Sequence, residues 1–202
     1  MSDFKRLPEE SEELQGPGAG DQTSDFERCG EVITWQGTIV KVGVERFRYA
    51  DGDEVTREKL WHPGAVGILA VDATQVWLTR QPREAVGERR SLEVPAGKLD
   101  VPGESPLAAA KRELAEEIGK QAGRWAQINS FYTSPGFSDE RVWLYMASEL
   151  SDAPHTEPEE NERIEIVPWP LGRLEEAIAE CKDSKSLIAL LWLKAGGSPS
   201  RG

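Results

Sequence analysis

The segment from Ser105 to Gly119 carries the signals for both ends of an α-helix, with an apolar stripe between them. Ser105 is a favourable N-cap residue, and Pro106 suits the first helical position because a helix makes no use of an N–H there. Gly119 can adopt the left-handed conformation that ends many helices. Apolar residues recur on one face of this segment, namely Leu107, Ala110, Leu114 and Ile118. The pattern predicts a helix that packs against a core.

Glutamates gather beside that apolar stripe. Glu113 and Glu117 are four residues apart and project together, with Glu116 next to them. Like charges at this spacing cost an isolated helix about 0.2–0.5 kcal/mol. A cation that bridges them reverses the sign, and ligands that are all oxygen select a hard ion such as Mg²⁺ or Mn²⁺. The alternative is a solvated acidic face, which is common in a chain with 36 acidic residues.

The wider pattern resembles the Nudix box: Gly, five residues, Glu, seven residues, Arg-Glu, an aliphatic residue, any residue, Glu-Glu, any residue, Gly. One departure is that six residues, not five, separate Gly97 from Glu104. The extra residue lies in the loop before the helix, so it affects only the role of Glu104. The positions at which the box specifies a residue type are filled by Gly97, Glu104, Arg112, Glu113, Leu114, Glu116, Glu117 and Gly119.

Segments outside the box resemble the ADP-ribose pyrophosphatase subgroup of that superfamily. The most telling is the run from Ser134 to Glu140, because the subgroup places a proline about sixteen residues beyond the box and a glutamate shortly after it. A Ser-Pro-Gly segment taken alone is most often only a turn. The resemblance covers roughly residues 31 to 194, and its other parts are 62–72, 80–83, 93–97 and 183–190.

The resemblance implies an α+β fold, the Nudix α/β/α sandwich with a mixed sheet, and hydrolysis of ADP-ribose to AMP and ribose 5-phosphate. It implies two to three Mg²⁺ or Mn²⁺ ions, held by Glu113, Glu116, Glu117 and the backbone carbonyl of Ala96. Arg112 is expected to orient a glutamate. Catalytic roles are expected for Glu140, as base or water-positioner on a mobile loop, and for Glu116 and Arg112.

Substrate contacts are expected from residues that also have plain structural explanations. Arg83 is a candidate phosphate ligand, because a diphosphate needs fork-shaped cationic donors, although it could be a surface cation. Trp35 and Trp61 are candidates for stacking on adenine, but tryptophans at such positions are more often core or interface residues. The resemblance adds Arg57 and Glu58, often contributed by the neighbouring subunit, and the loop residue Pro135.

The chain divides into four parts. Residues 1–27 are rich in Glu, Gly, Ser and Pro and are expected to form a disordered acidic tail. Residues 28–61 predict N-terminal antiparallel strands, with a continuous alternation over 32–42 and a hairpin turn at Asp51-Gly52. The resemblance implies that these strands cross to the partner in a homodimer. Residues 62–194 are expected to form the Nudix domain, and 195–202 a flexible tail. Within the domain, the sequence predicts a buried strand over 65–71, an acidic loop over 151–162 and two closing helices over 171–180 and 184–194.

Composition narrows the choice of partner and compartment. The net charge of −12 argues against nucleic acid and anionic membranes as partners. The resemblance implies a small-molecule nucleoside diphosphate sugar as the substrate, which needs local cations in so acidic a chain. Cys29 and Cys181 form no metal-binding or redox spacing, so a reduced, cytoplasmic location is expected. No apolar run approaches the length of a membrane span, and the N-terminus lacks the apolar segment of a signal peptide.

Other functions share parts of this pattern. A Nudix enzyme for another nucleotide sugar or a dinucleotide, such as GDP-mannose or NADH, would use the same metal ligands and differ only in its pocket. A nucleoside triphosphate pyrophosphohydrolase would leave the proline-containing loop unexplained. A non-catalytic ADP-ribose sensor is the alternative from a different class, but such proteins usually lose box glutamates, and all are present here.

Overall fold

The computed structural model describes residues 25–154 and 163–197, which form two compact units. The small unit contains residues 25–63 and 132–141, and the large unit contains residues 64–131, 142–154 and 163–197. Residues 1–24 of the predicted N-terminal tail lie outside the described residues. Residues 155–162 of the predicted acidic loop and residues 198–202 of the predicted C-terminal tail also lie outside them.

The small unit is built on an antiparallel three-stranded sheet in the order β1 (Phe26–Gln36), β2 (Lys41–Tyr49) and β3 (Glu54–Trp61). The predicted hairpin is β2–β3, and at its turn Gly52 has a φ of 94°, a value that favours glycine. The prediction of one continuous strand over 32–42 is wrong. A turn closed by the Gly37 N–H, which donates to the Val40 carbonyl at 2.9 Å, separates β1 from β2.

The large unit is a mixed seven-stranded sheet covered by helices on both faces. Its main strand order is β10-β5-β4-β9-β8, with β6 paired to β5 and β7 paired to β4. Strands β4 and β9 pair in parallel, whereas β4 pairs antiparallel with β5 and β7, and β5 antiparallel with β6 and β10. The bounds are β4 Ala65–Val71, β5 Gln75–Arg83, β6 Glu88–Glu93, β7 Ala96–Lys98, α1 Pro106–Ile118, β8 Lys120–Tyr132, β9 Arg141–Asp152, β10 Glu165–Pro170, α2 Leu174–Glu180 and α3 Ser184–Lys194.

Alternation along the strands sends side chains into two separate cores. In β4, Ile68 points into the core that α1 covers, and the next residue, Leu69, points into the core that α2 and α3 cover. The first core also contains Leu114 of α1, and the second contains Leu190 of α3. These layers are helix, sheet and helix, so the expected α/β/α sandwich with a mixed sheet is confirmed.

Most predicted elements of the large unit are present with shifted ends. The helix expected over 171–180 begins as a short 3₁₀ turn, Leu171–Arg173, and becomes α-helical only at Leu174. The three-residue strand β7 was not predicted. Within the residues that the structure describes, no helix is both long enough and apolar enough to span a membrane.

Candidate functional site

Helix α1 has the two ends that its sequence predicts. The Ser105 hydroxyl accepts a hydrogen bond from the Ala108 N–H at 3.2 Å, with Ser105 itself in an extended conformation. Gly119 ends the helix with a φ of 65°, and its N–H donates to the Ala115 carbonyl at 3.0 Å. Ala110 and Leu114 are fully buried against the sheet. The flank beside them carries the glutamates and faces β7 and the loop that leads into the helix.

Strand β7 runs beside this helix and is tied to it by Glu117. One carboxylate oxygen of Glu117 accepts the backbone N–H of Ala96 at 3.0 Å, and the residue is only 6% exposed. Ala96 itself pairs with Gly67 of β4, which anchors β7 to the sheet. The backbone of Ala96, predicted as a metal ligand, therefore lies next to the carboxylate of a second predicted ligand.

Gly97 makes room for the carboxylate of Glu113. A Cβ atom placed on Gly97 would lie 1.9 Å from both Cδ and one carboxylate oxygen of Glu113. Any larger residue at position 97 must displace that carboxylate from its place beside β7. Gly97, the first residue of the box, therefore determines where the carboxylate of a candidate metal ligand can lie. The sequence pattern alone does not explain why a glycine is needed there.

Arg112 holds three glutamates of the box at once. Its guanidinium donates to both carboxylate oxygens of Glu104, at 3.1 and 3.2 Å, in the forked geometry that favours arginine. One terminal nitrogen also donates to Glu113 at 2.8 Å and to Glu116 at 2.9 Å. The hydrogen bonds to Glu104, followed by the charges of the other glutamates and opposed by burial, raise the pKa of Arg112. The extra loop residue before Glu104 does not prevent it from reaching the cluster.

The donor set suits a hard divalent cation, although three of its carboxylates contact Arg112 and the fourth, on Glu117, accepts the Ala96 N–H. Among residues 25–154 and 163–197, no three Asp, Glu, His or Cys side chains converge as a ready-made metal site. The box nevertheless brings four carboxylates together, on Glu104, Glu113, Glu116 and Glu117, and the guanidinium of Arg112 can balance only one of four negative charges. Oxygen donors with excess negative charge are what Mg²⁺ and Mn²⁺ prefer.

Arg83, the predicted phosphate ligand, is paired with the buried Glu93. Its guanidinium donates to both carboxylate oxygens of Glu93, at 2.7 and 2.8 Å, and Glu93 is only 1% exposed. The negative charge of Glu117 is among the influences that raise the pKa of Arg83, after the hydrogen bonds to Glu93 and the opposing effect of burial. Arg83 is therefore held by the last residue of β6, the strand that precedes β7 in the chain.

Lys185 completes a buried charge network that sequence reasoning missed. Its ammonium lies 2.7 Å from Glu93 and 2.9 Å from Asp183, the N-cap residue of α3. Burial opposes ionisation of Glu93, but the Arg83 hydrogen bonds and the Lys185 charge outweigh it and lower the pKa of Glu93 to about 2. Glu93 and Lys185 are 92 residues apart, so no local spacing connects them. The one available signal was a glutamate inside the apolar run Leu92–Val94.

The remaining predicted site residues belong to the small unit. The Thr133 hydroxyl donates to one carboxylate oxygen of Glu140 at 2.7 Å, and His62 Nδ1 lies 3.9 Å from the other. Pro135 lies in a turn closed by the Phe137 N–H, which donates to the Ser134 carbonyl at 3.1 Å.

The other small-unit candidates lie on its sheet. Arg57 and Glu58 are exposed on β3, and Trp35 is 57% exposed on β1. Trp61 is partly buried, with the ammonium of Lys59 5.1 Å from its ring centre. The predictions that these four residues contact substrate stay predictions.

Comparison with known proteins places these features in a family. The model of the NUDIX domain matches residues 61–191 of this chain. The chain is 38% identical over 164 residues to the ADP-ribose pyrophosphatase of Bacillus subtilis (strain 168), covering 79% of this chain and 88% of that protein. It is 39% identical over 146 residues to the ADP-ribose pyrophosphatase of Mycobacterium tuberculosis (strain ATCC 25618 / H37Rv), covering 72% of this chain and 70% of that protein.

A solved structure described as an ADP compounds hydrolase has a similar fold. The TM-score is 0.73, and the match covers 88% of this chain and 98% of the other at 22% sequence identity. At that identity the likeness concerns the fold alone. It agrees with the helix–sheet–helix layers of the large unit.

Proposed function

The chain belongs to the NUDIX family, and from this premise we propose that it hydrolyses the diphosphate bond of ADP-ribose to AMP and ribose 5-phosphate. The observation that carries the proposal is the arrangement of the box glutamates: Glu104, Glu113 and Glu116 contact Arg112, and Glu117 accepts the backbone N–H of Ala96 in β7. The names of its relatives support ADP-ribose as the substrate. The reaction class is diphosphate hydrolysis.

Glu113, Glu116, Glu117 and the carbonyl of Ala96 would hold two to three Mg²⁺ or Mn²⁺ ions. When bound, such ions neutralise the diphosphate and lower the pKa of a bound water molecule far below that of bulk water. Gly97 has no side chain and so leaves space for the Glu113 carboxylate, and the Ala96 N–H orients Glu117 by donating a hydrogen bond to its carboxylate. Arg112 keeps Glu104, Glu113 and Glu116 together in one cluster.

The catalytic and binding roles outside the metal ligands stay proposals from the resemblance. Glu140 is proposed as base or water-positioner, and the Thr133 hydroxyl that donates to its carboxylate would restrict its rotation. Arg83 is proposed as a phosphate ligand, supported by the forked guanidinium donors that a diphosphate requires. The proposed contacts to the rest of the substrate are Arg57, Glu58, Trp35, Trp61 and Pro135.

A homodimer through the small unit and a reduced cytoplasmic location complete the proposal. Large apolar side chains on β1 and the turn after it are exposed, as expected for strands that meet a second copy; they are Phe26, Val32, Ile33, Trp35 and Ile39. A solution mass equal to one chain would contradict the dimer. Both Cys29 and Cys181 carry free thiols, which agrees with a reducing compartment.

Replacing Glu117 with glutamine tests the metal assignment. The side-chain amide oxygen of Gln can still accept the Ala96 N–H, so the variant is expected to fold, but it loses the charge that binds a cation. We expect turnover of ADP-ribose at saturating Mg²⁺ to fall about 100-fold or more, and Mn²⁺ binding measured by calorimetry to weaken. Glu175→Gln, on the exposed surface of α2, is the matched control. Near-normal turnover by Glu117→Gln would refute the assignment.

A substrate panel tests the choice of nucleotide. ADP-ribose, ADP-glucose, GDP-mannose and NADH are offered at equal concentration with Mg²⁺ or Mn²⁺, and the products are separated by chromatography. We expect the highest kcat/KM for ADP-ribose. Preference for GDP-mannose or NADH would support the alternative enzyme, and tight calorimetric binding of ADP-ribose without any product would support a sensor.

A further inference from the structure

A row of ionic contacts crosses the three-stranded sheet of the small unit. At its centre is Glu45 of β2, which is 3% exposed and is the only buried side chain among the described residues 25–63 and 132–141. The carboxylate of Glu45 lies 2.6 Å from the guanidinium of Arg28 on β1 and 3.0 Å from the ammonium of Lys59 on β3. The same ammonium lies 3.2 Å from the carboxylate of Asp139. The row therefore leads from the sheet to the residue directly before Glu140.

The ammonium of Lys59 is held from both sides. Burial opposes its ionisation, but the hydrogen bonds that it donates to Glu45 and Asp139, together with the charges of these carboxylates, outweigh burial and raise the pKa of Lys59. Glu45 contacts Arg28 with one oxygen and Lys59 with the other. The contact between Lys59 and Asp139 therefore joins two opposite charges, and one of them is fixed by a buried partner.

Asp139 is attached to the end of β3 by its backbone as well as by its side chain. One oxygen of its carboxylate accepts the His62 N–H at 2.9 Å, and the other faces Lys59. The Asp139 N–H donates to the Leu60 carbonyl at 3.3 Å, and the Leu60 N–H donates to the Phe137 carbonyl at 2.8 Å. The loop that contains Asp139 is therefore paired with the strand, and the ion pair with Lys59 adds to this pairing.

Glu140 in turn is fixed by its neighbours within the loop. The Thr133 N–H donates to the Glu140 carbonyl at 3.1 Å, and the Thr133 hydroxyl donates to the Glu140 carboxylate at 2.7 Å. The Glu140 N–H donates to the Ser138 hydroxyl at 3.1 Å. These contacts orient Glu140 relative to the loop, whereas Asp139 attaches the loop to the sheet. Loss of the Asp139 contact should therefore shift the carboxylate of Glu140 together with its surroundings.

The geometry that the ionic row fixes explains it better than stability does. Apolar side chains in place of a buried ion pair are often as stabilising or more so. A base, by contrast, must lie within hydrogen-bond reach of the proton that it accepts. A misplacement of about 1 Å can lower a rate by about 100-fold.

We propose that Asp139 is a positioning residue for Glu140, and that Glu45 and Lys59 hold Asp139 in the place that the reaction requires. This inference rests on the proposed hydrolysis of ADP-ribose with Glu140 as base or water-positioner. Asp139 acts through the residue next to it and does not itself touch the reacting atoms. Its loss should therefore lower kcat and leave KM and metal affinity nearly unchanged.

Asp139→Asn removes the ion pair with the smallest change in shape. The side-chain oxygen of asparagine can still accept the His62 N–H, but its amide nitrogen then faces Lys59 and cannot accept a hydrogen bond. We expect kcat for ADP-ribose to fall about ten-fold, with KM and calorimetric Mn²⁺ affinity nearly unchanged. Asp51→Asn is the matched control, because the Asp51 carboxylate also accepts a backbone N–H, that of Asp53 at 3.0 Å, in the exposed turn after β2. It should leave all three quantities unchanged.

A double variant separates positioning from a merely structural role. If Asp139 acts through Glu140, the variant with both Asp139→Asn and Glu140→Gln should have the same kcat as Glu140→Gln alone, because no base is left to position. A fall of about ten-fold in both backgrounds would overturn the inference.

Variants of Lys59 test the same link from its other end and do not depend on the folding of Asp139→Asn. Methionine is similar in length to lysine but carries no charge, so Lys59→Met should lower kcat as much as Asp139→Asn does. Arginine keeps the charge, so Lys59→Arg should keep a higher kcat than Lys59→Met. The measured quantity here is kcat, because Lys59 also lies 5.1 Å from the ring centre of Trp61, a proposed substrate contact. Equal kcat in the two Lys59 variants would contradict the proposal.

The outcomes distinguish the inference from the function on which it rests. If the unaltered protein hydrolyses ADP-ribose and Asp139→Asn keeps its kcat, the inference fails and the function stands. A rise in KM or a loss of Mn²⁺ binding as large as the fall in kcat would show a general disturbance and would also overturn the inference. Normal turnover by Glu140→Gln would remove the role of Glu140 and the inference with it, while Glu117→Gln still tests the metal-dependent hydrolysis. If the unaltered protein turns over none of the substrate panel, the function and the inference both fail.

Discussion

Glu93→Gln should destabilise the large unit strongly, although Glu93 lies outside the Nudix box. Its carboxylate is buried and contacts both Arg83 and Lys185. Glutamine fills the same space but carries no charge, so two cations lose their shared counter-charge. Removing one partner of a fully buried ion pair typically costs about 3–5 kcal/mol. The low end of that range is expected here, because Lys185 keeps Asp183 as a partner and the Arg83 side chain is 42% exposed.

The pKa of Glu93 gives an independent magnitude. The carboxyl titrates at about 2 in the folded protein instead of the ordinary 4.5. At about 1.4 kcal/mol per pKa unit, this difference corresponds to about 3 kcal/mol of stability. Both routes therefore lead to about 3 kcal/mol, and a chain of this size should lose about 6–12 °C in melting temperature.

The dependence on pH has a definite sign. Because folding lowers the pKa of Glu93, the ionised carboxylate stabilises the folded state above pH 4.5, and this contribution disappears as the pH falls from 4.5 towards 2. In Glu93→Gln the contribution is absent at every pH. The difference in stability between the two proteins should therefore be largest near neutral pH and shrink as Glu93 becomes protonated in the unaltered chain.

Urea unfolding followed by circular dichroism at several pH values between 3 and 7 measures this difference. Glu165→Gln is the matched control, because Glu165 and its partner Arg90 are both more than half exposed, and an exposed pair contributes about 0–1 kcal/mol. If Glu93→Gln at pH 7 were no less stable than Glu165→Gln, or if its deficit did not shrink in acid, the buried charge network would not have the energetic role described above.

Two smaller changes test the helix and the glycine beside it. Gly97→Ala should raise the Mg²⁺ concentration needed for half-maximal activity by about ten-fold, because the new Cβ displaces the Glu113 carboxylate. Gly172→Ala, where a Cβ meets nothing within 4 Å, is its control, and equal metal requirements would contradict the account of Gly97. Ser105→Ala should lower the free energy of unfolding by about 1 kcal/mol through loss of the N-cap. An unchanged urea midpoint would show that this cap contributes little.

The helix at the centre of the site could be predicted because its signals are local. An N-cap, a proline at the first position, a glycine at the end and an apolar repeat all act within one short segment, and the structure places Ser105 and Gly119 as those signals require. The same holds for β4, whose apolar run packs on both faces. Interactions between residues that are close in sequence are almost sufficient to determine such elements.

Features that depend on distant partners were not predictable in the same way. The strand β7 exists because Ala96 and Gly97 pair with β4, a contact that no propensity of three residues reveals. The Glu93–Lys185 pair joins two positions far apart in the chain. In the small unit, Gly37 read as part of a continuous strand, but its N–H closes a turn. The first two features depend on partners that only folding brings near. The Gly37 turn is local, and it was not predicted because the alternation of residues around it is typical of a strand.

The ion pairs of Arg112 separate the folding of this protein from its supply of metal. Glutamates on neighbouring turns of a helix repel one another, but a permanent cation already contacts two of them and Glu104 of the preceding loop. The large unit can therefore assemble before any ion arrives. A chelating agent should therefore inactivate the protein reversibly. The fold should stay intact, and activity should be restored when Mg²⁺ is added back.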